Sequence, residues 1–438
     1  MSFCVSAMPL RYAAGGHPYE PSIAREGPRL SGPLTGLRVI DLAGESGVFA
    51  GRMLAELGAD VIRVEPPGGD GIRRRPPFLE GAPTVESLHH LHYNAGKRGI
   101  TLDAHTTRGV EVLRRLAAVA DIWLETEAPG VMDALGLGHA ALSEVNPALV
   151  YASLTPFGSE GPMAQYRAND LVSVAMSGLM YLNGFPEDPP IAPGAEQAYH
   201  IAAAALVATT LVAVAGRARD AEGRGRHVEV SVQEAMSMAT VQTANANFYT
   251  WHQRIPKRSG FGAPLAASAS RNLFSAADGL WLSFVIPVGA GPGWEPFVDW
   301  LREEGIDSPV FDDAYRDAAY RASHGGDVAA AIEALVSRHP REWLFHEGQR
   351  RRILVMPVND MKDLHEDPQL RSRGFWRALP HPALGRDIEV PAAPYQFSAT
   401  PAALERCAPA VGEHNREVYC DLLGMAMAEL DALVADAV

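Results

Sequence analysis

Apolar residues in this chain fall into short runs separated by glycine turns and by stretches of helical spacing. The first run is Leu37–Leu42 (LRVIDL), which reads as a strand; Gly44, Gly47 and Gly51 follow and lead into a helical stretch reaching Leu57. A second strand, Asp60–Glu65, stops at Pro66–Asp70. Ile100–Leu102 reads as a third, before a helix over Thr107–Ala118 in which Val110, Leu113 and Leu116 keep helical spacing. Ile122–Glu125 and Leu149–Ser153 add two more strands. Strands alternating with helices predict an α/β fold whose parallel sheet is covered on both faces.

The pattern changes after Arg217. Residues 219–226 (RDAEGRGR) are polar and contain glycine, as a linker would be, and His227–Val232 alternates as a strand leading into a helix over Gln233–Thr240. Aromatic residues then gather, among them Phe248, Tyr249, Trp251, Trp281, Phe284 and Trp294; helical spacing returns near Val328, and helical stretches close the chain. The expected organisation is an N-terminal extension over 1–33, a large domain over 34–218, a linker over 219–226 and a small α+β domain over 227–327. Residues 328–438 then return to complete the large domain. The first 30 or so residues lack periodicity and a signal-peptide h-region, so a flexible extension is expected.

At 438 residues, two or three domains are expected, and 47% hydrophobic with 21% charged residues is an ordinary globular composition. A net charge of -14 argues against broad nucleic-acid binding, which needs a basic face. Three cysteines, Cys4, Cys407 and Cys420, imply no disulfide framework and fit a reducing, cytoplasmic compartment. The longest apolar run, Ile201–Ala215, is shorter than the roughly 20 residues of a membrane span and reads as a buried helix. No membrane association is expected.

Several groups carry candidate chemistry. Gly44, Gly47 and Gly51, with Glu65 ending the second strand, imitate a dinucleotide fingerprint. The spacing is not G-x-G-x-x-G, however, and Glu65 runs into Pro66–Pro67. A tight turn and close helix–strand packing explain these glycines better than an NAD site. His89, His90 and His92 lack a partner at ligand spacing, so no metal site is expected, and no G-x-S-x-G elbow suggests a serine hydrolase. Two basic islands, Arg73–Arg75 and Lys97–Arg98, flank strands of one sheet. Adjacent cations are usually a solvated pair, but these could converge on one polyphosphate through the planar guanidinium fork. Asp170 follows Ala168–Asn169 where a helical pattern starts; by position alone an acid there is a helix cap.

The motifs themselves are more specific. Gly36–Leu42, Leu57–Asp70, Asn94–Asp103, Pro129–Leu137, Asn146–Leu154, Phe157–Pro162, Asn169–Leu171 with Met176–Met180, Gly223–Ser231, Asp367–Phe375 and Ala408–His414 occur in order from Leu34 to the C-terminus. Together they resemble the class III coenzyme A transferases, the family of formyl-CoA and carnitine-CoA transferases. The resemblance implies a Rossmann-like large domain, a smaller inserted domain and two ring-like subunits interlocked as a homodimer. It makes Asp170 the catalytic carboxylate and Arg98, with Lys97, a coenzyme A contact. Arg73, Arg74, Glu45, Ser46 and Gly47 are further candidate contacts.

The implied activity moves CoA from an acyl-CoA to a carboxylic acid through a mixed anhydride and an aspartyl-CoA thioester on Asp170. Coenzyme A and its esters are then substrates, with no permanently bound cofactor. Three departures stand out. The turn after Asp41 is Ala43–Gly44–Glu45–Ser46–Gly47, where many members carry Gly-Pro; Ala134 replaces a common basic residue; and Gly289–Gly293 is at best a counterpart of the glycine-rich active-site loop. A racemase of the same superfamily would need a His beside Asp170, where this chain has Asn169, and an Asp about thirty residues on, near Tyr199–His200. His200, in an apolar stretch, reads as a core histidine. An NAD-dependent oxidoreductase and a non-catalytic CoA-binding homologue are the other readings.

Overall fold

The computed structural model describes residues 32–81, 86–238, 249–250, 253, 255, 258, 271–286, 293–402 and 404–435. Six strands form one parallel sheet: β1 Arg38–Asp41, β2 Asp60–Glu65, β3 Arg98–Thr101, β4 Ile122–Glu125, β5 Val150–Thr155 and β6 His227–Ser231. Their spatial order is β3-β2-β1-β4-β5-β6, so the direction of winding reverses between β1 and β4. A crevice outside the carboxyl ends of those two strands is where ligands bind in open sheets of this kind. Because side chains alternate along a strand, Ile40, Ile62, Ile100, Trp123 and Tyr151 point to one face and Val39, Val61, Ile122, Leu124 and Val150 to the other. The second face is covered by α1 (Val48–Glu56) and α8 (Gln197–Arg217); the first by α3 (Thr107–Ala118) and by Val418, Tyr419, Leu430 and Leu433 near the C-terminus. That C-terminal stretch is tied to β3 by Tyr419 Oη donating to the Thr101 carbonyl at 2.7 Å and by Asn415 Oδ1 accepting from the Thr101 amide at 2.9 Å.

Between α3 and α8 lie α4 (Val131–Ala134), α5 (His139–Val145), α6 (Asp170–Met176) and α7 (Leu179–Leu182); α2 (Leu88–Asn94) precedes β3. At 21 residues α8 is long and apolar enough to cross a membrane, longer than the sequence pattern suggested, yet Ala198, Ala202, Ala203, Leu206, Val207, Thr210 and Ala213 pack inward. A smaller antiparallel sheet, β7 (Leu273–Ser275), β8 (Trp281–Val285) and β9 (Leu354–Pro357), is packed by the helices Trp294–Glu303, Gly325–Val336 and Arg341–Arg351 around Phe284, Phe297, Trp300, Leu335 and Val355. The hairpin β10 (Trp376–His381) with β11 (Arg386–Pro391) follows.

Both expected seams move. Residues 219–226 connect α8 to β6, which pairs in parallel with β5 over Tyr151↔His227 to Thr155↔Ser231, so His227–Ser231 completes the large sheet rather than opening the small unit. At the other end the small sheet extends past 327, because β9 pairs with β8. A polar, glycine-containing segment looks the same in sequence whether it joins two domains or a helix to its own sheet. Residues 1–31 and the Gly289–Pro292 part of the glycine-rich segment lie outside the described residues.

Candidate functional site

Asp170 is the first residue of α6 but not its cap. That task falls to Asn169, whose Oδ1 accepts the Val172 amide hydrogen at 3.0 Å. Asp170 is thereby freed to turn to a different helix: its Oδ1 accepts the Tyr199 amide hydrogen at 3.1 Å, and the Ala198 amide bonds it as well. Both donors belong to the first turn of α8, so a half-buried carboxylate sits at the positive end of a 21-residue helix. Burial raises its pKa above the usual Asp value, and the two amides only partly offset that. The outcome is a carboxylate with fixed orientation and a thin water shell, as a nucleophile requires.

A chain of polar contacts leads from there to the switch point. Glu196, just ahead of α8, accepts from Tyr93 Oη at 2.8 Å, and His200 Nε2 lies 2.9 Å from the same hydroxyl. With the hydroxyl donating to Glu196, the His200 nitrogen donates to it. Burial lowers the His200 pKa, which keeps the ring neutral at pH 7. His200 is therefore a member of this cluster and not the core histidine that its apolar neighbours suggested; Phe49 of α1 packs edge-on against it with centroids 5.0 Å apart. Glu196 also pairs with Arg75, and Arg75 pairs with Glu45 in the turn that follows β1. In that turn the Gly44 amide donates to Thr126 Oγ1, beyond the end of β4, at 2.7 Å. A Cβ on Gly47 would lie 2.6 Å from Thr126 Cγ2, so the close approach of turn and strand end requires glycine there. Ser46 is half-buried in the same turn. Glu45, Ser46 and Gly47 thus stand at the crevice, linked through Arg75 and Glu196 to the helix end that holds Asp170.

The basic islands do not converge. Lys97 is fully buried, its Nζ donating to Asp41 Oδ2 at 2.7 Å, the Val48 carbonyl at 2.8 Å and Asn94 Oδ1 at 3.0 Å. All three ammonium hydrogens are used inside the protein, which leaves none for a ligand; burial pulls its pKa down to about 8, against the opposing pull of Asp41. Arg98 forms a fork with both oxygens of Asp60 at 2.8 and 2.7 Å, at the amino end of β2 and β3, away from the crevice. Arg73 forks onto both Glu65 oxygens at 2.8 and 2.5 Å and also bonds the Pro409 carbonyl. This removes Glu65 from any ribose-binding role. Arg73 borders a separate cavity of about 690 Å³, whose lining also includes His90, His381 and His414 but no member of the Asp170 cluster. Arg74 is exposed. Among the described residues no group of three His, Cys, Asp or Glu side chains could hold a metal. Of the aromatic residues, Phe284 and Trp294 fill the core of the small unit.

Sequence reasoning passed over Arg75 as a separate residue, Glu196 and Tyr93. The one available signal was a charged residue before a long apolar helix, since Glu196 precedes α8 where a cap belongs.

The model of the family described as CoA-transferase family III matches residues 34–415. The chain is 38% identical, over 91% of its length and 96% of the relative's, to succinyl-CoA:(R)-benzylsuccinate CoA-transferase subunit BbsE of Thauera aromatica. It is 31% identical, over 90% of its length and 97% of the relative's, to succinate–glutarate CoA-transferase of Agrobacterium fabrum. Among solved structures, a CAIB/BAIF family protein from Brucella suis superimposes with a TM-score of 0.79 at 29% identity, covering 90% of this chain and all of that one.

Proposed function

As a member of CoA-transferase family III this chain is an enzyme that transfers coenzyme A, and we propose that it does so between carboxylic acids through covalent intermediates on Asp170. The observation that carries this reading is the half-buried carboxylate held by the first-turn amides of α8. Asp170 attacks the thioester carbonyl of an acyl-CoA, forming an aspartyl mixed anhydride and expelling CoA thiolate. The thiolate attacks the aspartyl carbonyl, releasing the donor carboxylate and leaving an aspartyl-CoA thioester. An acceptor carboxylate attacks that thioester, expelling the thiolate again, and the thiolate takes the acceptor acyl group from the second anhydride. Asp170 is regenerated as a carboxylate, and no proton or electron is gained or lost overall. Amide hydrogens at the α8 terminus are placed to offset charge on the reacting oxygens.

In this reading the acyl-CoA occupies the crevice at the β1/β4 reversal, with Glu45, Ser46 and Gly47 beside it and exposed Arg74 available to a phosphate. The named substrates of the two relatives, succinyl-CoA, benzylsuccinate and glutarate, derive from dicarboxylic acids, which supports a dicarboxylic acid on at least one side of the reaction. The active form is an interlocked homodimer. Apolar residues exposed on α6, α7 and α8 (Leu171, Val172, Met176, Tyr181 and Val212) support burial against a second copy. Sedimentation as a monomer at micromolar concentration would remove that part.

The test of function is CoA exchange between an acyl-CoA and a free acid. Asp170→Ala and Asp170→Asn should each lower kcat by at least about a thousandfold, since covalent catalysis is lost entirely. Near-normal turnover by either variant would overturn the reading.

A further inference from the structure

Arg75 is set apart from Arg73 and Arg98 by its partners, and from the buried Arg63, which also bridges two carboxylates, Asp41 and Asp70, by standing half-exposed with one exposed partner. Arg73 and Arg98 are each locked by both oxygens of one carboxylate, Glu65 and Asp60. Arg75 instead bridges two different carboxylates of unequal burial: its Nη2 pairs with Glu196, whose side chain is 12% exposed, and its Nη1 with Glu45, whose side chain is 49% exposed. Glu196 is fixed a second time by Tyr93, so it is the permanent partner. Glu45 stands on a glycine turn at the crevice mouth and can leave for water at little cost.

We infer that Arg75 reads the second carboxylate of a dicarboxylic acyl group, the substrate carboxylate taking the place that Glu45 holds beside it. This rests on the proposed reaction and names the residue that selects its substrate. The geometry fits in three respects. Glu196 lies immediately before the helix whose amides hold Asp170, so a cation anchored to Glu196 stands near the nucleophile. Tyr93 holds Glu196 from the other side and His200 bonds the same hydroxyl, so the anchor of Arg75 is fixed beside the helix that holds Asp170. The exchange is also ion for ion: the guanidinium fork keeps Glu196 and trades one carboxylate for another, while the displaced Glu45 is solvated rather than stranded. A monocarboxylic acyl group would instead set a methyl end beside a charged arginine and leave Glu45 in place. Arg75 acts here as a specificity residue, away from the bonds that form and break.

The experiment measures binding of succinyl-CoA and of butyryl-CoA, its monocarboxylic counterpart of equal carbon number, in an Asp170→Asn background that cannot form the covalent intermediate. The parent should bind succinyl-CoA more tightly. Arg75→Gln should weaken succinyl-CoA on the order of tenfold or more, the worth of a charge-assisted pair, and leave butyryl-CoA within about threefold. Glu45→Gln, a change at an exposed side chain, should shift the ratio further toward succinyl-CoA because the competing anion is gone. Equal loss of both ligands in Arg75→Gln would make Arg75 structural and overturn the inference, as would a parent that does not discriminate or a Glu45→Gln ratio moving the other way. The readout needs no turnover, so absence of CoA exchange in the wild type would count against the reaction and not against this assignment.

Discussion

Replacing Lys97 with methionine separates its two readings, because a core lysine and a ligand-binding lysine fail differently. In the fold Lys97 Nζ pairs with a fully buried carboxylate, Asp41, and serves the Val48 carbonyl and Asn94 as well. Removing one partner of a buried pair typically costs 3–5 kcal/mol, since the remaining charge is left in a medium that cannot solvate it. Asp41 would keep Arg63 Nη1 at 3.2 Å and the Ala43 amide at 2.9 Å. That residual support puts the expected loss at the low end, about 3 kcal/mol. The assay is the free energy of unfolding from denaturant titration, read beside KM for an acyl-CoA under conditions where the variant remains folded. The structure predicts the loss of stability with KM changed by no more than about twofold. Unaltered stability with a KM raised tenfold or more would refute the buried placement and return Lys97 to the ligand.

Two further predictions follow from neighbouring side chains. Burial raises the pKa of Glu125, at the end of β4, to about 7. The folded protein therefore holds a proton between about pH 4.5 and 7 that the unfolded chain releases, and the stability this gives is lost as pH rises through that window. Glu125→Gln, which mimics the protonated acid, should be more stable than wild type by about 3 kcal/mol at pH 8, with the gap closing near pH 4.5; calorimetry showing the variant less stable at pH 8 would contradict this. Gly51→Ala should destabilise by about 2 kcal/mol despite the better helix propensity of alanine, because its Cβ would lie 2.3 Å from Asp41 Oδ2 and 2.8 Å from Lys97 Nζ. An unchanged melting temperature would count against the close packing of α1 on that pair.

Most of the sheet was legible because strands such as β4 and β5 are buried along their whole length and β2 and β5 run straight into proline. The glycines after β1 were read as a packing device, and Gly47 and Gly51 act as one. The sheet to which His227–Ser231 belongs could not be read, since a short alternating run carries no record of its neighbours. The partners of the arginines were illegible for a related reason. Arg73, Arg75 and Arg98 look alike in sequence, and their roles are fixed by acids brought from elsewhere in the chain: Glu65, Glu196 with Glu45, and Asp60. Lys97 and Arg98, though adjacent, are drawn to opposite ends of β2 and β1, one to Asp41 and the other to Asp60. Asp170 was singled out by its motif. Its tie to the amides of a helix nearly thirty residues away belongs to tertiary structure alone.

The account stands on acylation of one carboxylate. Peptide mass spectrometry of protein quenched within seconds of mixing with an acyl-CoA, in the absence of acceptor acid, tests it most directly. The predicted result is an acyl or CoA adduct on the peptide containing Asp170 in the wild type, absent from Asp170→Asn. An adduct on another residue, or turnover without any adduct at Asp170, would contradict the account.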